Sequence, residues 1–145
     1  MDFATRVGAY CWIENEGRVL LAHWSQTTAD GGVYERWTLP GGGVEWAESL
    51  PQTAIREARE ETGHEVRLDH LLTVFNFFVP QGQRLVEGPP LHYVQVVYAA
   101  TVIGGQLTRE RGGSTNDVRW FTRDEISTLE VAPVVDAMMV ATAAS

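Results

Sequence analysis

Apolar and small residues fill Arg6 to Ile13 with a period of two: Val7, Ala9, Cys11 and Ile13 interleave with Gly8, Tyr10 and Trp12. Neither set is charged, so the segment reads as a strand with two covered faces. Asn15-Glu16-Gly17 is a hairpin-turn signal, and Arg18 to Trp24 returns as a second strand. Ser25 to Arg36 is polar and glycine-bearing and reads as a loop, long enough at about 12 residues to suspect a role beyond connection. Trp37-Thr38-Leu39 is a short strand that leads into a glycine turn, Pro40 to Gly43.

A helix follows the turn. Ser49 is its N-cap, Gln52 three residues on completes a capping box, and Pro51 lies in the first turn, where its missing N–H costs little. Gly63 suits the C′ position, which needs φ > 0. Beyond it, Val66 to Val79 is a long apolar run, read as one bent strand or two. Pro80 to Pro90 is a second loop, and Leu91 to Ile103 is a strand. Gly104-Gly105 reads as a hairpin turn into Gln106-Leu107-Thr108. Arg111 to Asn116 is a third loop, Val118 to Phe121 a short strand, Arg123 to Ser127 a helical turn, and Ala132 to Ala141 a final helix begun near Pro133. Strands dominate, with one internal and one terminal helix, so the expected fold is α/β: a mixed sheet covered on both faces.

Composition narrows the function. A chain of 145 residues with 44% apolar content is expected to form one domain, residues 1–145, with enough core to fold alone. The single cysteine, Cys11, excludes an internal disulfide and a Cys-type metal cluster, and it reads as a small core residue. There is no charged-then-apolar leader and no membrane-length apolar run, so the expectation is a cytoplasmic protein that does not engage a membrane. A net charge of −8 without a basic stretch argues against long nucleic acid as a partner. An acidic protein acting on an anionic substrate needs local cations, which carboxylates holding Mg²⁺ would supply.

The helix after the glycine turn carries Arg56, Glu57, Arg59, Glu60 and Glu61. At 100° per residue, Glu57 and Glu61 project within about 40° of each other, and Glu60 lies roughly 60° to one side of Glu57. Like charges at that spacing destabilise a helix unless something positive stands among them. Arg56 can serve Glu60, and a divalent cation answers the rest. Glu57 and Glu61 also share their angular sector with Leu50 and Ala54, so these acids are not segregated onto a solvated face.

The same residues meet a longer pattern, G-x5-E-x7-R-E-U-x-E-E-x-G-U, through Gly42, Glu48, Arg56, Glu57, Ala58, Glu60, Glu61 and Gly63. Seven fixed letters at ordinary usage would coincide by chance roughly once in a million sequences of this length. The stretch resembles the Nudix box of the Nudix hydrolase superfamily. It departs at the last position, where an apolar residue is expected and His64 stands, which bears on packing at the helix exit. Similarity outside the box is thinner, in the Trp37-to-Gly43 approach and in Arg119-Trp120-Phe121.

The resemblance implies an α/β/α sandwich and Mg²⁺-dependent hydrolysis of a phosphoanhydride, with Mn²⁺ as an alternative metal. It implies Glu57, Glu60 and Glu61 as metal ligands beside the backbone carbonyl of Gly42, with Arg56 orienting one of them and Glu48 as an outer ligand or a support for the turn. The general base is expected either from the box, as Glu57 or Glu61, or from the third loop, as Glu110 or Asp117; Asp117 could instead be a further metal ligand. The expected substrate is a small nucleotide, a nucleoside diphosphate linked to another moiety. Nucleoside triphosphates stand ahead of ADP-ribose and nucleotide sugars, and the assembly is a monomer or a homodimer. A non-catalytic nucleotide sensor or an isomerase would be expected to lack part of the box. For a nucleobase platform, Trp24, Trp46, Phe75, Phe77, Phe78, His92 and Tyr93 all qualify, with Phe77 and Phe78 bound to face opposite ways if extended.

Overall fold

The computed structural model describes residues 2–85, 87–108 and 115–143. Its central strand is β1 (Ala4–Asn15), whose alternation sends Tyr10 and Trp12 into one core and Ala9, Cys11 and Ile13 into another on the opposite face. β2 (Arg18–Thr27) divides in the same way, Val19 and Leu21 to the first core, Leu20 and Ala22 to the second. The two strands meet through a two-residue turn in which Glu16 has φ 52° and Gly17 φ 77°. Positive φ at both central positions is what a type I′ hairpin requires.

The stretch Ser25 to Arg36 is mostly strand rather than the expected loop. β2 runs on to Thr27 and β3 (Val33–Thr38) pairs antiparallel with it, leaving only residues 28–32 as a turn. Polar side chains hid the pattern: Arg36 lies over the Tyr34 ring at 4.2 Å, and Tyr34 meets Trp24 edge-on, so an apparently hydrophilic strand has its own packing. The expected glycine turn is also a short strand, β4 (Gly41–Gly43), antiparallel to β1 with Ala9 opposite Gly42. No side chain would fit at Gly41. A Cβ on Gly41 would stand 2.3 Å from the Tyr10 ring and 2.5 Å from the Ala9 carbonyl oxygen.

Helix α1 (Leu50–Thr62) begins and ends as its sequence demands: the Ser49–Gln52 capping box is formed at both bonds, and Gly63 closes the helix at φ 78°. Ala54 and Ala58 are fully buried against Ala9, Cys11 and Ile13. Small residues on both surfaces bring helix and sheet close, and the Cys11 thiol reaches the Ala54 carbonyl at 3.6 Å.

β5 (His64–Val79) is one strand, bent by three register shifts against its antiparallel partner β6 (Leu91–Gly105). Gly104 and Gly105 do not form a hairpin turn. They extend β6 opposite Glu65 and His64, and the chain then returns to α1 through Thr108 N–H donating to the Thr62 carbonyl at 2.8 Å. His64 at the helix exit is satisfied by polar contacts instead of apolar packing, its Nδ1 3.3 Å from the Gly104 carbonyl oxygen. β7 (Thr115–Thr122) pairs with β2 and is longer than the expected strand. A short α2 (Arg123–Ile126) and α3 (Pro133–Thr142) complete the chain.

Among the described residues the strands follow the order β3-β2-β1-β6-β5, with β4 beside β1 and β7 beside β2. β1 and β6 are parallel, so the sheet is mixed. α1 covers one face, and Ile126, Val134, Val135 and Met138 of α2 and α3 cover the other, which is the α/β/α sandwich. No helix of the described residues is long and apolar enough to cross a membrane.

Candidate metal and phosphate site

Cap, glycines and helix together decide where the acids lie. β4 runs beneath α1, and a Cβ on Gly42 would meet the Glu57 carboxyl at 2.7–2.9 Å. The Glu57 side chain therefore occupies the space that glycine leaves. One turn on, Glu61 is only 8% exposed, and its Oε2 accepts the Gly41 N–H at 3.0 Å. Glu60, offset on the helix as its spacing requires, keeps 47% of its side chain in solvent. The acids thus grade from buried to open along one edge.

Arg56 is the hub of this edge. Its Nε and Nη2 donate to the two Glu48 oxygens at 2.7 and 3.0 Å, while Nη1 donates to Glu57 at 2.9 Å and to Glu60 at 3.2 Å. Glu48 is held in turn by the Thr53 hydroxyl at 2.6 Å. The Arg56 guanidinium, then the Thr53 hydroxyl, lower the Glu48 carboxyl to about 2, and the same contact to Glu48 raises Arg56. Sequence spacing gave Arg56 one partner, Glu60; the fold gives it a bidentate grip on Glu48, because the loop from β4 to α1 folds back over the helix.

Among the described residues no three His, Cys, Asp or Glu side chains are arranged to hold a cation as they stand. Arg56 draws Glu57 and Glu60 to itself. The acceptors gathered on this edge are carboxylate oxygens, with no nitrogen or sulfur among them, the donor type that a hard cation takes. The missing Cβ at Gly42 lets the Glu57 carboxyl lie directly against β4.

The other expected residues fall elsewhere. Asp117 alternates with Val118, which packs under α1, and stands opposite His23, whose ring lies against Trp37 on the other face of the sheet. Its carboxylate accepts from Arg119 Nε at 2.8 Å and from the Val118 N–H, on the face of the sheet away from α1. Glu110 lies outside the described residues. Phe77 stacks on Tyr93 at 5.4 Å and Phe78 on His92 at 4.6 Å, on opposite faces as extended geometry requires, and Trp46 is 98% exposed.

Two features escaped the sequence. Tyr10 and Tyr93 join their hydroxyls at 2.7 Å, with Arg6 over the Tyr93 ring at 5.5 Å. Gln95 is 7% exposed, and its carbonyl oxygen has no partner among the described residues. A lone glutamine inside the apolar run of β6 was the available signal. Burial raises the Tyr10 hydroxyl well above its ordinary range, and burial raises the Cys11 thiol to about 12, which keeps it an inert core residue.

The NUDIX domain family matches residues 4–141, and the chain belongs to that family. A nucleoside triphosphatase, NudI of Klebsiella pneumoniae, is 43% identical over 60 residues, covering 41% of this chain and 40% of its own. An ADP-ribose pyrophosphatase of Methanocaldococcus jannaschii is 28% identical over 117 residues, 81% of this chain and 62% of its own. A NUDIX hydrolase structure from Nitrosomonas europaea superposes with a TM-score of 0.77 at 22% identity, over 97% of this chain and 89% of its own, which supports the fold. The chain spans about half the length of the curated relatives it matches.

Proposed function

We propose that residues 1–145 act as one domain that hydrolyses a phosphoanhydride bond in a nucleoside diphosphate linked to another moiety, a nucleoside triphosphate first among the substrates. The observation that carries this reading is the packing at β4. Glu57 fills the space over Gly42, and Glu61 is buried on the Gly41 N–H. Burying a carboxylate beside two others is costly unless positive charge serves them, and a divalent cation on this edge would serve all three.

Nudix hydrolases generally use divalent metal ions. In this reading Glu57, Glu60, Glu61 and the Gly42 carbonyl hold such an ion, Mg²⁺ or alternatively Mn²⁺. When bound, it supplies neutralisation of phosphate charge and a more acidic water. The protein's own part is positional. Gly41 fixes one oxygen of Glu61, Glu48 anchors Arg56, and Arg56 then orients Glu57 and Glu60. In this reading Glu57 or Glu61 takes the proton of the attacking water, and Asp117, held in β7 facing away from α1, does not serve as the base.

The likeness to NudI supports a nucleoside triphosphate, and the likeness to the archaeal ADP-ribose pyrophosphatase over four-fifths of the chain favours ADP-ribose as a second reading. The net charge of −8 supports a small substrate over long nucleic acid, and the single cysteine fits action in the reducing cytoplasm. The test is a turnover screen with Mg²⁺ against nucleoside triphosphates, dinucleoside polyphosphates, ADP-ribose and nucleotide sugars, with the products separated. Nucleoside monophosphate and pyrophosphate from a triphosphate are expected. No hydrolysis of any member would refute the reading.

A further inference from the structure

β5 ends the sheet, and among the described residues no strand pairs with its outer side. Its first part is protected: register shifts between Glu65 and Val66, Leu68 and His70, and Leu71 and Thr73 break the edge, and Arg67 and Asp69 put charge on it. The last part is not. From Thr73 to Val79 the register is regular, and the sequence TVFNFFV has no charge, no glycine and no proline. An exposed, regular, apolar edge of this kind is what soluble proteins cover or interrupt. Its outward face is open as well, with Val74 52% and Phe78 70% exposed.

The segment is also nearly palindromic. Antiparallel pairing with itself about Asn76 sets Phe75 opposite Phe77, Val74 opposite Phe78 and Thr73 opposite Val79, with the two Asn76 amides on the axis. Phe75 with Phe77 is an aromatic pair, Val74 with Phe78 an aromatic–β-branched pair and Thr73 with Val79 a β-branched pair, cross-strand partners that favour a sheet. The face assignments agree: Phe77 lies with Tyr93 on one face, Phe78 with His92 on the other. The pairing is finite, because Pro80 lacks the N–H to continue it at one end and the Leu71–Thr73 shift breaks it at the other.

We propose that the Thr73–Val79 edge joins two copies of this chain in a closed two-fold dimer, β5 against β5, with one sheet continuous through both. A two-fold pairing uses the same patch on each copy and leaves no further edge. The occupant is a second copy because the self-complementarity lies within one segment. The charge balance agrees: each copy carries −8, and the joining segment carries none. Added salt therefore strengthens the dimer by screening the repulsion between the copies, whereas it would weaken an interface built on ion pairs.

Sedimentation equilibrium of the whole chain across a wide range of concentration tests the proposal. The expected result is a species of twice the 16.1 kDa chain mass that dissociates on dilution, more tightly associated at higher salt. Two double variants test the register at exposed positions outside the proposed metal site. Val74→Glu with Phe78→Glu sets acid opposite acid across the axis and should give a folded monomer by circular dichroism. Val74→Lys with Phe78→Glu sets opposite charges in the same two places and should restore the dimer. A parent that stays at the chain mass, one that grows beyond twice that mass, a doubly acidic variant that remains dimeric, or a mixed-charge variant that remains monomeric would each overturn the proposal.

Discussion

Gly42→Ala isolates the contact on which the site reading rests. The new methyl would stand 2.7 Å from the Glu57 carboxyl carbon and 2.8 and 2.9 Å from its oxygens. Ordinary contact begins near 3.5 Å, so the carboxylate must retreat by about 0.6–0.8 Å. A displacement of about 1 Å at reacting groups costs on the order of 10²-fold in rate, which is about 2.7 kcal/mol of transition-state stabilisation. The backbone does not resist, since Gly42 is not among the residues with positive φ. Crowding costs about 1–3 kcal/mol in a packed site, and the low end applies because the Glu57 side chain keeps 16% of its surface in solvent and can move. The expected variant folds, melts a few degrees lower, and loses about 10² in kcat, measured at saturating Mg²⁺ on the best substrate of the screen. Gly43→Ala is the control, because its methyl meets only the far end of Arg6 at 3.0 Å. If Gly42→Ala turned over like the parent, the claim that Glu57 acts from its seat on β4 would be wrong.

Other consequences follow from single contacts. Arg56→Lys keeps the charge but loses the fork that spans Glu48, Glu57 and Glu60, so kcat should fall more than KM rises; a rise in KM alone would show that Arg56 binds substrate. The Glu48 carboxyl stands at about 2 in the folded protein against an ordinary 4.5, so its contribution to stability is present above about pH 4.5 and is lost as pH falls toward 2. Glu48→Gln removes that dependence, and the gap in urea midpoint between parent and variant should narrow through this window; a constant gap would contradict the ion pair. Gly17 and Gly63 have φ 77° and 78°, but a Cβ on Gly17 meets nothing, whereas one on Gly63 would lie 2.1 Å from the Gln106 carbonyl oxygen. Gly17→Ala should cost about 1–2 kcal/mol from conformation alone, and Gly63→Ala clearly more in thermal unfolding. Equal losses would mean that the crowding is relieved elsewhere.

What could be read from the residues was local and punctuated. Ser49, Gln52, Pro51 and Gly63 mark both ends of α1, and the alternation around Tyr10 and Cys11 marks a strand buried on two faces. Segments whose packing is made by polar side chains were misread: Tyr34 and Arg36 stack on each other in β3, yet look like loop. Glycine was misread as well, because the same residue serves a turn and a strand packed too closely for a side chain at Gly41, and only the third dimension tells Gly41 from Gly17. In the site, spacing placed three acids on one edge of a helix. It could not place Glu48 against Arg56, or the Gly41 N–H against Glu61, since both contacts depend on how the β4–α1 loop folds back. Asp117 failed to join the acids for a similar reason: the parity of β7 is set by its pairing with β2, with Asp117 opposite His23.

The central claim is that the acid edge of α1 binds a divalent cation. Mn²⁺ binding to the metal-free protein, followed by electron paramagnetic resonance of the free ion, tests it without reference to any substrate. The parent should bind Mn²⁺, Mg²⁺ should displace it, and Glu61→Gln, which removes one charge with little change in volume, should weaken binding by an order of magnitude or more. Mn²⁺ binding that is absent in the parent, or unchanged in Glu61→Gln, would contradict the account.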